Sequence, residues 1–345
     1  MVTQRFAYID IAKGLGILMV VWGHIASHWT SAFVYTFHMP LFFFISGMLF
    51  NRNKYPMFGD FLKARAKRLL VPYLLYSVVT WAVWAVFSYL KGMPVVDILA
   101  PLTQTVLAKG SGQFFVYNSP LWFIPCLLAV EIMYFFSSRF CDWLNMLICI
   151  ILMLISVLFE HRFGNGYLLL LPWNFDAALM ALPLYAFGNL LVKHFSLSGI
   201  YQFVEKHRVA SLAGVVACAA FIYVSLDIFP NISMGYSYYG NEWIFHLRAL
   251  IGIAMVLTVS ILIETIQKNH STRGGMLDWC GHNSLDIMCT HVPIKGILAV
   301  IAAKFLGMSV SDTKSTLIVA LAVFVVTMGI DYILVSLINK FIRRA

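Results

Sequence analysis

Long apolar runs separated by short polar loops dominate this chain. Runs of about 20 apolar residues, the length that crosses a bilayer as a helix, recur from one end to the other. The pattern predicts an all-α, polytopic integral membrane protein with about ten transmembrane helices. No polar block is large enough for a soluble domain, so residues 1–345 are expected to form a single domain. The helices are predicted near 9–29, 33–50, 69–90, 119–138, 143–160, 173–192, 208–228, 243–266, 284–305 and 315–339.

Composition supports this prediction. Hydrophobic residues make up 61% of the chain and charged residues 11%, whereas a soluble domain has about 25% charged residues. The net charge of +9 comes from cations in short interhelical loops and does not indicate nucleic-acid binding. The six cysteines are scattered through apolar runs. They predict neither a disulfide framework nor a metal site.

Lysine and arginine are distributed unequally between alternate loops, and the excess is expected on the cytoplasmic side. This asymmetry predicts that both termini are cytoplasmic. The inner cations are Arg5, Arg52, Lys54, Lys63, Arg65, Lys67, Arg68, Arg139, Lys193, Lys206, Arg208, Lys268, Arg273, Lys340, Arg343 and Arg344, and the outer ones are Lys91, Lys109, Arg162, Lys304 and Lys314.

The first apolar run carries two ionisable residues, Lys13 and His24. Eleven positions along an α-helix are three turns plus about 20°, so both side chains leave one face, about 16 Å apart along the axis. Ionisable groups within a membrane segment are costly and are therefore functional candidates. The stripe is suited to a ligand held lengthwise. Alternatively, Lys13 snorkels to the inner surface and His24 bonds to a neighbouring helix.

Polar and aromatic residues converge at the outer ends of several predicted helices. A short turn joins the first two helices, so His24 and His38 are expected at a similar depth. Trp122 and Asp176 lie at the starts of two further helices on this side, and Trp243 follows a tyrosine-rich loop. We consider Trp122, Asp176 and Trp243 candidates for binding a polyol or sugar. An interfacial aromatic belt is the alternative for the aromatic residues.

Arginines mark the inner end of the third predicted helix. Arg65 and Arg68 are three positions apart and are expected on one helical face. They are either a phosphate clamp, since arginine binds phosphate oxygens bidentately, or cations that contact lipid head groups. Asp10 is placed to pair with Lys13 or to favour the helix N-terminus. Glu131 is either an orienting carboxylate or an interhelical hydrogen-bonding residue.

Several segments together resemble acyltransferase family 3, which includes sugar O-acetylases of the fucose 4-O-acetylase-like group. The resemblance covers essentially the whole chain and depends on the order and spacing of the segments. They are Asp10–His24, Phe37–Gly47, Arg65–Tyr73, Leu121–Phe123 and the later Gly281–His291.

The resemblance implies about ten helices and transfer of an acyl group, usually acetyl, from coenzyme A to an extracytoplasmic hydroxyl. The family's functional basic residue and histidine on the first helix fall on Lys13 and His24, and its Arg-x-x-Arg falls on Arg65 and Arg68. Many members have arginine where this chain has Lys13, and lysine meets phosphate only as a point charge. A bacterial inner membrane fits the family.

These observations lead to one hypothesis. Acetyl-coenzyme A binds from the cytoplasm with its phosphates at Arg65, Arg68 and Lys13, without a metal, and its thioester lies near His24. A carbohydrate acceptor, such as a polysaccharide, a lipid-linked saccharide or a small glycoside, enters from outside. His24 is the general base, because imidazole is mostly neutral at pH 7. A transient acyl-histidine is the variant mechanism.

Two residues are assigned supporting roles in this hypothesis. His38 orients His24 or the substrate, and Trp122 walls the thioester pocket, although both are also ordinary residues of a helical bundle. Besides substrates, membrane lipid is the expected partner. The alternative functions are an exporter or flippase of a sugar-containing substrate, and a structural or sensor protein. No internal repeat or pair of broken helices, as transporter folds often have, is evident in the sequence.

Overall fold

The computed structural model describes residues 6–26, 29–108, 116–163, 171–228, 232–269, 275–306 and 317–341. Within these ranges the elements are helical and no strand occurs. In the part of the chain that the structure describes, ten helical stretches are long and apolar enough to cross a membrane, which confirms the number and approximate positions predicted from the apolar runs. Of the loop cations used to predict orientation, Arg5, Lys109, Arg273, Lys314, Arg343 and Arg344 lie outside the described residues.

The chain divides into two compact units. Unit 1 comprises Met1–Ile45, Leu191–Ile232 and Gly240–Ala345, and unit 2 comprises Ser46–Leu190 and Ser233–Tyr239. The helices of unit 1 are α1 (Ala7–Ile25), α2 (Trp29–Tyr35), most of α3 (His38–Met48), α10 (Leu197–Lys206), α11 (Arg208–Leu226), α12 (Glu242–Asn269), α13 (Met276–His282), α14 (Ser284–Leu306) and α15 (Leu317–Phe341).

Helix α1 is the centre of unit 1 and packs against α12, α13 and α14. Glycines let the backbones of α1 and α13 touch. A Cβ at Gly14 would overlap the carbonyl of Leu277, and one at Gly281 would overlap the carbonyl of Asp10. Small residues allow this close approach where helices associate within a membrane. The contact holds the N-terminal half of α1 in place.

The N-terminus of α1 is capped by another helix. The backbone N–H of Tyr8 donates to a carboxylate oxygen of Glu264 on α12 at 2.9 Å, and the other oxygen pairs with Lys268 at 2.9 Å. Phe6, at the N-cap position, supplies no side-chain acceptor. A carboxylate at this end satisfies an orphan donor and complements the helix dipole.

Unit 2 contains α4 (Phe58–Arg65), α5 (Val71–Leu90), α6 (Val95–Leu107), α7 (Phe123–Ser137), α8 (Asp142–Phe163) and most of α9 (Phe175–His194). A π-type turn at Ala66–Leu70 joins α4 to α5, so the third span begins well before the predicted residue 69. Short 3₁₀ turns at Ser119–Trp122 and Pro172–Asn174 lead into α7 and α9.

A hydrogen-bond network within unit 2 joins α7 and α9 to the end of α3. The side-chain amide of Asn189 donates to the carbonyls of Gly47 and Phe50 at 3.1 and 2.9 Å, while its oxygen accepts from the hydroxyl of Tyr134 at 2.9 Å. A Cβ at Gly47 would overlap the carbonyl of Tyr185. The Asn189 amide thus makes two donor bonds and one acceptor bond. Such pairing is favourable in an apolar environment, in which unpaired polar groups are costly.

The apolar pattern did not predict α6, α10 or α13. Each is shorter than a membrane span, and α6 carries Pro101 inside it. Helix α10 is amphipathic and begins at Ser196, whose hydroxyl accepts from the N–H of Gly199 at 3.3 Å. A search for runs of about 20 apolar residues overlooks such helices.

Candidate functional site

His24 lies in the last turn of α1, which is one unbroken α-helix from Ala7 to Ile25. Lys13 and His24 therefore leave the same face of this helix. The side chain of His24 is half-buried. Its backbone carbonyl accepts a hydrogen bond of 3.1 Å from the ammonium of Lys295 on α14. A carbonyl in the last turn of a helix has no intrahelical donor, so this cation also complements the helix dipole.

The imidazole of His291, also on α14, lies next to that of His24. The ring centroids are 5.2 Å apart and the planes are tilted by 48°. His291 is fully buried, and its Nδ1 donates to the carbonyl of Ile287 at 2.8 Å. Because a carbonyl only accepts, Nδ1 carries the proton and Nε2 of the neutral ring presents a lone pair. Nε2 is buried and has no hydrogen-bond partner in the structure.

The other predicted histidine, His38, is connected to His24 through Tyr35. The tyrosine ring lies 6.3 Å from the ring of His24 and 4.9 Å from that of His38, with edge-on geometry in both cases. His38 is buried, and its Nδ1 donates to the carbonyl of Val34 at 2.7 Å. Gly23 makes room, since a Cβ there would lie 2.9 Å from the Tyr35 ring. His24, Tyr35, His38 and His291 are hereafter called the imidazole cluster.

In the N-terminal half of α1, Lys13 forms an ion pair with Asp10. Its ammonium lies 2.7 Å from a carboxylate oxygen of Asp10, and 22% of its side chain is exposed. The other oxygen of Asp10 is 3.8 Å from Nε2 of His282. An anionic ligand at Lys13 would therefore compete with Asp10 for the ammonium.

The opposite face of α1 is apolar. Leu15, Leu18, Met19 and Trp22 line a cavity of about 370 Å³ together with residues of α11, α12 and α15. Its lining offers almost no polar surface, so it does not suit a phosphate or a sugar. The candidate ligand-binding and catalytic side chains of α1 are therefore on the face of Lys13 and His24.

In unit 2, Arg65 and Arg68 lie in different surroundings. Arg65 is buried and forms an ion pair of 3.2 Å with the buried carboxylate of Glu131 on α7, whereas Arg68 is exposed. The π-type turn that follows Arg65 widens the helix locally, so the spacing expected for a regular α-helix does not apply. The guanidinium of Arg65 also lies 5.6 Å from the Phe61 ring.

Trp122 and Asp176 lie within unit 2, and both are buried. A Cβ at Gly235 would lie 2.7 Å from Nε1 of Trp122, so this glycine lets a backbone turn rest on the indole. The same turn is held by Asn174, whose amide donates to the carbonyl of Gly235 at 3.0 Å. Asn174 adopts a φ of 45°, which asparagine tolerates better than most residues. Trp122 and the start of α9 are therefore positioned together.

Trp243, in the first turn of α12 in unit 1, is 59% exposed. This exposure agrees with either alternative for it, a belt residue or a ligand contact.

Sequence reasoning did not identify His291, Lys295 or Tyr35 as site residues. A signal was present for two of them. His291 and Lys295 are four positions apart within an apolar run, so they share one face of a membrane-spanning helix. Nothing in the sequence paired that face with His24, because His24 and His291 are separated by most of the chain.

Comparison with known proteins identifies a family for nearly the whole chain. The family model for the acyltransferase 3 family, described as "Acyltransferase domain", matches residues 6–335. Searches of curated proteins and of solved structures found no significant match.

Proposed function

The chain belongs to the acyltransferase 3 family, and we propose that it transfers an acetyl group from acetyl-coenzyme A to a hydroxyl of an extracytoplasmic carbohydrate. The imidazole of His24 is the general base. The observation that carries this proposal is the imidazole cluster on membrane-spanning helices of unit 1. Ionisable groups are kept within a membrane where they serve a function.

The proposed reaction needs no redox partner and no metal. His24 takes the proton of the acceptor hydroxyl while the oxygen attacks the thioester carbonyl carbon. The new C–O ester bond forms as the C–S bond breaks. The imidazolium of His24 then returns the proton to the thiolate, which leaves as coenzyme A thiol. An acyl-histidine formed first and then attacked by the hydroxyl is the variant route.

The donor phosphates are proposed to bind at Arg68, Arg65 and Lys13. The exposure of Arg68 supports direct contact, since a guanidinium forms bidentate bonds with phosphate oxygens. Arg65 forms an ion pair with Glu131. It contributes to donor binding either directly, once that ion pair loosens, or indirectly, by positioning the neighbouring segment. Lys13 contributes as a point charge in competition with Asp10.

The acceptor is proposed to contact Trp122, Asp176 and Trp243, with His38 orienting it or His24. Aromatic faces and carboxylates are typical groups of carbohydrate sites. Trp122 is buried and Gly235 packs against its indole, so contact of the acceptor with this ring requires the turn that contains Gly235 to move. The proposed setting is a bacterial inner membrane with both termini in the cytoplasm and the acceptor on the opposite side.

The test is an acetyl-transfer assay on purified protein in proteoliposomes. Radiolabelled acetyl-coenzyme A is supplied on one side and polysaccharide, lipid-linked saccharide or small glycosides on the other. Wild-type protein is expected to consume the thioester and label the carbohydrate. An exporter or flippase would move the sugar and leave the thioester intact, and that result would overturn the proposal.

A matched pair of variants tests the role of His24 in the same assay. His24→Ala is expected to reduce transfer at least about 100-fold, the low end for loss of a general base. His207→Ala removes an exposed imidazole at the junction of α10 and α11 and is expected to leave transfer unchanged. Normal transfer by folded His24→Ala would remove His24 from the mechanism.

A further inference from the structure

We propose that His291 is a positioning residue for the acyl transfer. In this role its Nε2 accepts a hydrogen bond from the imidazolium of His24 when His24 takes up the proton of the acceptor hydroxyl. This inference rests on the proposed function of His24 and extends it to a second helix, α14. No bond to His291 is made or broken in the reaction. The proton passes from the hydroxyl to His24 and then to the thiolate, while His291 stabilises the intermediate charge.

The orientation of His291 is the first support for this role. Its Nδ1 proton is engaged by the Ile287 carbonyl at 2.8 Å, one turn earlier on the same helix. That bond fixes both the ring orientation and the tautomer, and it directs an acceptor away from the α14 backbone. The His24 ring centroid is only 5.2 Å from that of His291. At this separation a small rotation of either ring brings two nitrogens to hydrogen-bond distance.

The second support is that Nε2 of His291 is buried without a partner. A buried polar atom that lacks a hydrogen bond is destabilising, and native structures contain few of them. A leucine or phenylalanine would fill the same volume without this cost. An acceptor that becomes bonded only when His24 is protonated accounts for an imidazole at this position.

Lys295 makes a second contact between α14 and α1. It lies one turn after His291, and its ammonium donates to the His24 carbonyl at 3.1 Å. Helix α14 therefore contacts His24 twice, at its backbone through Lys295 and at its ring through His291. Preorganisation of this kind keeps a catalytic group in one geometry throughout the reaction.

The first test compares two substitutions of His291 in the purified full-length protein. In His291→Asn the side-chain amide can still donate to the Ile287 carbonyl, but no atom replaces Nε2. In His291→Gln an amide oxygen can occupy the place of Nε2. We expect His291→Asn to lower kcat about 10- to 100-fold with the KM for acetyl-coenzyme A unchanged. We expect His291→Gln to retain most of kcat.

The matched control is His246→Asn. His246 on α12 makes the same kind of bond, donating from Nδ1 to the carbonyl of Glu242 at 2.7 Å. Its substitution is expected to leave kcat and KM unchanged. If His291→Asn does not yield folded protein, the pair His291→Phe and His291→Gln makes the same comparison with larger side chains. His291→Phe is then expected to lose kcat and His291→Gln to keep it.

The outcomes separate this inference from the proposed function. Folded His291→Asn or His291→Phe with wild-type kcat, beside an inactive His24→Ala, would overturn the role of His291 and leave the acyl-transfer proposal standing. Equal losses in His291→Gln and His291→Phe would assign His291 a packing role and also overturn the inference. Wild-type protein that does not consume the thioester would overturn the proposed function itself.

Discussion

The Nε atom of Arg65 lies 3.2 Å from Oε2 of Glu131, and each side chain has no more than 10% of its surface exposed. This ion pair joins the end of α4 to α7 inside unit 2. The nearby Arg68 is exposed. Two arginines that look equivalent in the sequence therefore have different physical roles.

The first prediction separates these roles by stability. Arg65→Ala is expected to destabilise the protein by about 3–5 kcal/mol, because it leaves a buried carboxylate without its partner. Arg68→Ala is expected to change stability by less than about 0.5 kcal/mol, as is usual at exposed positions, and to weaken binding of coenzyme A. Unfolding in detergent and a coenzyme A titration measure the two effects.

The double variant Arg65→Met with Glu131→Leu provides the control. Replacement of both partners by apolar side chains is expected to recover most of the stability lost in Arg65→Ala. Equal stability of Arg65→Ala and the wild type would show that the pair contributes nothing to the fold.

The second prediction concerns Asp10. In Asp10→Asn, Lys13 loses the carboxylate that lies 2.7 Å from its ammonium. If Lys13 binds a donor phosphate, the free ammonium should bind coenzyme A several-fold more tightly, since the two anions no longer compete. Isothermal titration with coenzyme A measures this change, with Lys13→Ala as the comparison. Identical affinities in all three proteins would exclude Lys13 from donor binding.

The third prediction tests the contact between α1 and α13. Gly281→Val places a branched side chain against the Asp10 carbonyl, where even a Cβ would overlap. We expect loss of folded protein, measured as the monodisperse fraction after detergent extraction. Gly296→Ala on α14 is the control, because a Cβ there meets nothing within 4 Å. It is expected to stabilise the helix by up to about 1 kcal/mol.

The fourth prediction uses cysteine reactivity. Burial, with a smaller contribution from Asp331, raises the pKa of the Cys280 thiol to about 11. At pH 8 this thiol stays protonated, and the reactive thiolate is scarce. A maleimide is therefore expected to label exposed Cys141 within minutes and to leave Cys280 unlabelled, as measured by peptide mass spectrometry. Below its pKa the thiolate fraction of Cys280 rises about tenfold per pH unit, so its labelling should increase steadily above pH 8. Equal labelling of both cysteines at pH 8 would contradict the buried position of Cys280.

The sequence alone determined the apolar stretches, ten of which are candidate membrane spans within the described residues, and it determined the family. A run of about 20 apolar residues is a local property with a large transfer free energy, so no tertiary contact is needed to predict a span. The register of Lys13 and His24 on one helix is equally local, because it depends only on helical geometry. The resemblance to acyltransferase family 3 is confirmed for the same stretch of chain.

Only the tertiary structure decided which side chains meet. The pairing of His24 with His291, the burial of Arg65 against Glu131 and the glycine contact between α1 and α13 all depend on how helices distant in sequence are rotated about their axes. Side chains in apolar spans have similar hydrophobicity on all faces, so the pattern contains little information about this rotation. The π-type turn after Arg65 adds a local change of register that helical spacing does not predict.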